Sequence, residues 1–299
     1  MLCVCYAQYD VDQHVPKVLA CGHVFCLHCL QNITRQHELY DIIEYISVCP
    51  LCRAETRKLA PPRLLLPRIS LNYVSNAQYM QVVCVSIICS CNDATNMRFQ
   101  NEVNNICALF PTITSTHIAN PDVIQYACGA IQRLAYNNGY CTSLSCVCPY
   151  MHAVLLTHMS NPDVMLDIFK TIINLSFDNH DNRLSDVCVH MHTVLTTWMD
   201  NPGVMSMVCN AIANLSANND NCARLVDVCP HMHTVLSTHT SNPSVVIDAC
   251  RAIINLSRND DNRAKLSDVC PCIHTILSKY PGNTKVSEKA SAVICGLKH

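Results

Sequence analysis

Charge is scarce in this sequence. Asp, Glu, Lys and Arg make up 14% of its 299 residues, against about a quarter in an ordinary soluble protein. The two signs nearly cancel, leaving a formal net charge of −2. No basic excess therefore points to nucleic acid or to an anionic membrane as a partner. Long apolar runs are missing as well. The longest, QVVCVSIIC at 81–89, is too short to insert across a bilayer. Residues 1–20 have no basic start followed by an apolar block, so no secretory leader is expected. The expected location is the cytoplasm or the nucleus. No heptad pattern runs long enough to predict a coiled coil.

What the sequence has in plenty is cysteine, 23 in all. Without secretion, such a set is expected to divide between metal ligands and small buried residues rather than to form a disulfide framework. Seven lie before residue 53 in a regular pattern: Cys21-x-His23-x2-Cys26-x2-Cys29, nineteen residues, then Cys49-x2-Cys52, with Cys3 and Cys5 upstream. A Cys-x2-Cys turn aims two sulfurs at one point, and tetrahedral zinc takes four thiolate or imidazole ligands. Eight ligands suffice for two closed sites. A closed site is structural, because no open position is left for water or substrate. A segment of about fifty residues with few core aliphatics needs metal to supply much of its folding energy.

Residues 3–53, with LACGHVFCLHCL and CPLCR, resemble a C3HC4 RING finger of the kind found in tripartite-motif ubiquitin ligases. The resemblance implies two structural Zn2+ ions in a cross-braced arrangement, one held by Cys3, Cys5, Cys26 and Cys29, the other by Cys21, His23, Cys49 and Cys52. It also implies a small α+β zinc domain that holds a ubiquitin-charged conjugating enzyme and forms no covalent ubiquitin intermediate. The docking surface would be Val4, Ile33 and Pro50, on the two zinc loops and a helix between them. Arg53 matches the cationic linchpin that hydrogen-bonds enzyme and ubiquitin together. A planar, permanently charged guanidinium with several donors suits that task. One departure stands at the start: the family opens Cys-x2-Cys, whereas this chain reads Cys3-Val4-Cys5, with Leu2 where the first ligand would be.

The rest of the chain repeats. Asn-Pro recurs at Asn120, Asn161, Asn201 and Asn242, with Asn283 continuing the series, at steps of 41, 40, 41 and 41 residues. TIINLSFDN, AIANLSANN and AIINLSRND fall in register, as do DVCVHMHTVL, DVCPHMHTVL and DVCPCIHTIL. A fixed period near forty predicts stacked supersecondary units. Asparagine caps a helix and proline suits its first position. From Asn242, Val245, Val246, Ala249, Ala252, Ile253 and Leu256 form one apolar stripe. Three helices per unit, with NLS ending the longest, resemble armadillo repeats. The predicted architecture is a RING-type zinc finger over 1–55, a basic proline-containing linker over 56–75, and an all-α armadillo-like superhelical solenoid over 76–299. Its units run at about 76–119, 120–160, 161–200, 201–241 and 242–282, with a partial one at 283–299.

The period also sorts the later cysteines. Cys148, Cys188, Cys229 and Cys270 share one repeat position, and Cys128, Cys209 and Cys250 another. Equivalent positions in a stack meet equivalent surroundings, where cysteine serves as a small apolar residue. No nucleophile with a neighbouring base emerges among them. The histidines line up likewise, at His152, His192, His233 and His274, and at His117, His158 and His239.

In armadillo domains a ladder of asparagines on the third helices pairs with an extended peptide. Asn174, Asn214 and Asn255 stand at that position, with Arg133 one repeat earlier, and Lys170, Asn210 and Arg251 lie one turn before. These residues are the expected peptide groove, polar and somewhat basic. The alternative for the asparagines is that they brace neighbouring loops. The tryptophans that mark import receptors are missing, Trp198 being the only one in the chain. The expected function is a RING-type E3 ubiquitin ligase that takes its protein substrate in this groove. The alternative is a protein-interaction scaffold whose RING is structural or degenerate.

Overall fold

The computed structural model describes residues 16–18, 24–26, 34–39, 42–48, 55–57, 75–91, 103–136, 143–176 and 183–298. The chain divides into two compact units, Met1–Ser143 and Leu144–His299.

The first unit opens with short strands. β1 (Pro16–Val18) pairs antiparallel with β2 (Val24–Cys26) in the register Pro16↔Cys26, Lys17↔Phe25 and Val18↔Val24. β3 (Thr34–Leu39), β4 (Ile42–Val48) and β5 (Glu55–Arg57) form an antiparallel sheet in that order. The RING resemblance implies a helix between the zinc loops at Ile33, where residues 27–33 lie outside the described residues; beyond them Thr34–Leu39 and Ile42–Val48 are strands. The local composition explains this. Ile42, Ile43, Tyr45, Ile46 and Val48 are β-branched or aromatic, stiff at χ1 and suited to a pleated surface. Only two residues separate the strands, the length of a tight hairpin connection.

Helices follow. α1 (Ala77–Cys91) packs along α3 (Pro121–Tyr136), and α2 (Phe110–Thr116) comes between them in sequence and also touches α3. Met80, Val83, Cys84 and Ile87 of α1 are buried, as are Val123, Ile124, Ala127, Ile131 and Leu134 of α3.

The second unit is a succession of similar helix groups. α4 (Cys148–Thr157) and α5 (Pro162–Leu175) come first, then the short α6 (Ser185–Cys188), α7 (Met191–Thr197) and α8 (Pro202–Leu215). α9 (Asn219–Arg224), α10 (Cys229–Thr238) and α11 (Pro243–Leu256) repeat the group. α12 (Asp260–Lys265), α13 (Cys270–Lys279) and α14 (Thr284–Lys298) repeat it again. The long helices stack on their counterparts, α5 against α8, α8 against α11 and α11 against α14.

α5, α8 and α11 start where Asn-Pro predicts. Asn161 Oδ1 accepts from the amides of Asp163 and Val164, Asn201 Oδ1 from Val204, and Asn242 Oδ1 from Ser244 and Val245. The proline at the first helical position forfeits no bond there, since that N–H has no partner within the helix. The predicted α11 stripe is buried in full: Val245, Val246, Ala249, Ala252, Ile253 and Leu256. Burying one such side chain contributes roughly 1.5–3 kcal/mol. At the other end the NLS serines turn inward, the Ser216 hydroxyl donating to Ile212 O at 2.6 Å.

A second set of bonds ties each turn to the preceding group. Trp198 Nε1 donates to Met159 O at 3.0 Å, His239 Nε2 lies 2.6 Å from Met199 O, and the Tyr280 hydroxyl donates to Thr240 O at 2.9 Å. Three different rings thus do one job at a spacing of 39–40 residues. They also account for part of the histidine alignment: His239 is a buried brace between groups.

Candidate zinc-binding domain and interaction ladder

Of the proposed zinc ligands, Cys26 closes β2 and its backbone pairs with Pro16. Cys3, Cys5, Cys21, His23, Cys29, Cys49 and Cys52 lie outside the described residues, as do Val4, Ile33, Pro50 and Arg53. β1 and β2 pair antiparallel across the connection 19–23, which carries Cys21 and His23. β4 and β5 pair antiparallel across the connection 49–54, which carries Cys49, Cys52 and Arg53. Four of the ligands assigned to one site thus fall in the connections of two hairpins. The donor set, seven thiols and one imidazole, is the soft sulfur and nitrogen chemistry that zinc prefers. Among the described residues no three His, Cys, Asp or Glu side chains could hold a metal. The later cysteines follow the expectation of burial: Cys128, Cys148, Cys188, Cys209, Cys229 and Cys250 are buried, and Cys270 is half-buried.

The ladder residues of the second unit come together on the long helices. Asn255 Nδ2 donates to Ala213 O of the preceding long helix at 2.6 Å, and Asn214 Nδ2 reaches Ile173 O at 3.5 Å. Arg251 reaches across in the same way, Nη1 donating to Asn210 Oδ1 at 3.1 Å and Nη2 to Asn214 Oδ1 at 3.5 Å. Asn214 therefore has both ends of its amide engaged. The geometry favours bracing for this residue, because a peptide would have to displace an internal bond to use it.

The cations are paired too. Lys170 Nζ lies 3.2 Å from Asp167 Oδ1, and Arg251 Nη1 lies 3.6 Å from Asp248 Oδ1. Asp248 Oδ2 also accepts from the Ser206 hydroxyl at 2.6 Å. Burial raises the Asp248 carboxyl above its ordinary value, and the Ser206 hydroxyl and the Arg251 guanidinium oppose that rise. The charges of Lys170 and Arg251 are thus offset within the second unit by Asp167 and Asp248. Sequence reasoning passed over Ser206, Asp167 and Asp248. The signal was available for the two carboxylates, each three residues before a cation on a helix, the spacing at which side chains meet. Asn174 stands half-buried near the end of α5. Arg133, in the first unit, is exposed in the last turn of α3.

Residues 3–53 match the Ring finger domain family. The N-terminal segment of this chain is a RING finger domain, a zinc-binding fold, homologous to RING-type ligases over that region. Among curated proteins, the E3 ubiquitin-protein ligase RNF182 of Xenopus laevis is 39% identical over 54 residues, 18% of this chain and 21% of that protein. RNF182 of Homo sapiens is 42% identical over 53 residues, 18% of this chain and 20% of that protein. The chain thus aligns with about a fifth of the length of the curated relatives it matches. No solved structure matches it.

Proposed function

We propose that this protein is a RING-type E3 ubiquitin ligase with two zinc sites, Cys3, Cys5, Cys26 and Cys29 in one and Cys21, His23, Cys49 and Cys52 in the other. Val4, Ile33 and Pro50 form the surface for a charged conjugating enzyme. Arg53 hydrogen-bonds enzyme and ubiquitin together, which biases the thioester toward attack by an acceptor amine with departure of the enzyme's thiol. The zinc ions, when bound, fix the loops that carry these residues. One observation carries the proposal: seven ligands from Cys5 to Cys52 at family spacing and the CPLCR block sit inside a segment 39–42% identical to proteins named as E3 ubiquitin ligases.

Residues 76–299 are the substrate-selecting part, an armadillo-like solenoid. The recurrence of long helices from Pro162, Pro202 and Pro243 at steps of 40 and 41 residues supports this reading. Arg133, Lys170, Asn174, Asn210, Asn214, Arg251 and Asn255 mark its ladder. A protein substrate enters there as an extended segment, in exchange for some of the internal bonds described above. The domain limits are 1–55, 56–75 and 76–299, and the location is cytoplasmic or nuclear.

A scaffold with a degenerate RING is the second reading, favoured by the shortened Cys3-x-Cys5 pair. Metal content and autoubiquitination of the full chain separate the two. The ligase reading expects two zinc ions per chain and ubiquitin transfer that Cys52→Ser abolishes. Two zinc ions with no transfer from any charged conjugating enzyme would leave the scaffold.

A further inference from the structure

Histidines gather away from the ladder, on the second helices of two successive groups. His152 lies on α4 and His190 immediately precedes α7. Their rings stack, with centroids 6.3 Å apart and planes 16° from parallel. His152 Nδ1 is buried and has no hydrogen-bond partner. His190 is half-buried, and the charged or titratable groups that act on it are His152 across the contact, His192 on α7 and Asp186 on α6. His192 itself is hydrogen-bonded to the Thr193 hydroxyl at 3.1 Å. The described residues offer no third ligand that would make this pair a metal site.

We propose that the His152–His190 stack is a proton-sensitive seam between two helical groups, closed while both rings are neutral and loosened when His190 gains a proton. Two neutral imidazoles pack face to face without electrostatic penalty, whereas a proton on His190 places a charge in a partly desolvated site against the His152 ring. Burial lowers the affinity of His190 for a proton below its ordinary value of 6.5, and His152 and His192 lower it further; Asp186 alone opposes them. As pH falls, the unfolded chain therefore takes up this proton before the folded one does. The stabilisation is complete above pH 6.5, declines as pH drops toward the folded value, and is constant below it.

The test is thermal unfolding of the full chain near pH 7.5 and near pH 5.5, for the native protein, His190→Gln and His152→Gln. Protonation of the zinc ligands affects all three alike, so the difference between native and variant isolates the seam. The native Tm is expected to drop further on acidification than that of His190→Gln, by about 2–4 °C for each unit of pKa displacement. Amide exchange in α4 and α7, corrected for the intrinsic pH effect, is expected to accelerate severalfold more in the native chain. Should His190→Gln be too unstable to compare, His152→Gln removes the other ring and is expected to lessen the acid-induced loss in part, since burial still acts on His190. Parallel Tm losses with unchanged local exchange would overturn the proposal.

Discussion

Burial decides what a cysteine can do in the second unit. The thiols of Cys188, Cys229 and Cys250 are pushed up to about 12, and that of Cys209 higher still, burial being the main cause in each. Since the thiolate is the reactive form, these side chains are inert fillers. Cys295, by contrast, is exposed. Brief alkylation of the native chain near pH 7.5, read by peptide mass spectrometry, is expected to label Cys295 at least about tenfold faster than Cys209 or Cys250. Equal labelling would contradict this account. Cysteine burial was legible in the sequence, because repetition at one position implies one environment. The use made of the asparagines was not. An amide that faces a groove and one that grips the neighbouring helix have the same spacing, and only the 2.6 Å from Asn255 Nδ2 to Ala213 O tells them apart. The braces were hidden for another reason: Trp198, His239 and Tyr280 differ as letters and agree only in carrying a donor on a ring.

Helix ends in the stack depend on single side chains. Asn242→Ala removes the oxygen that serves Ser244 and Val245. It is expected to cost about 1 kcal/mol and to lower Tm by about 2–4 °C, while Asn242→Asp leaves Tm nearly unchanged. An unchanged Tm for the alanine variant would show that proline and packing alone start the helix. Tyr280→Phe deletes only the hydroxyl bonded to Thr240 O. A loss of about 1 kcal/mol is expected in equilibrium denaturation, and no loss would remove the ring-donor series from the forces joining the groups. Starts and stripes of this kind could be read directly, because a cap and a period are local signals. The strands Thr34–Leu39 and Ile42–Val48 could not be read by resemblance. Ligand spacing says little about the nineteen residues between the two pairs, and Ile42–Val48 follows its own β-branched composition into a strand.

Two energetic regimes coexist in the whole chain. Residues 183–298 bury a continuous apolar interior, with Leu184, Ile212, Leu236, Ile253 and Ile276 all buried, and need no ligand to stay folded. A RING segment of about fifty residues is too short to build a comparable interior alone, so it is expected to depend on its metal. Chelation is accordingly expected to unfold residues 1–55 while leaving most of the helical ellipticity at 222 nm in place. Loss of both signals together would show that the two parts fold as one. In the proposed ligase reading the RING segment carries the activity, and Arg53 there promotes discharge of ubiquitin. The direct measurement is single-turnover discharge from a panel of charged conjugating enzymes, comparing the full zinc-loaded chain with Arg53→Ala. This account predicts faster discharge with at least one enzyme, and at least about a tenfold loss in the variant, whose zinc content stays the same. No acceleration by the zinc-loaded native chain, or equal acceleration by Arg53→Ala, would contradict it.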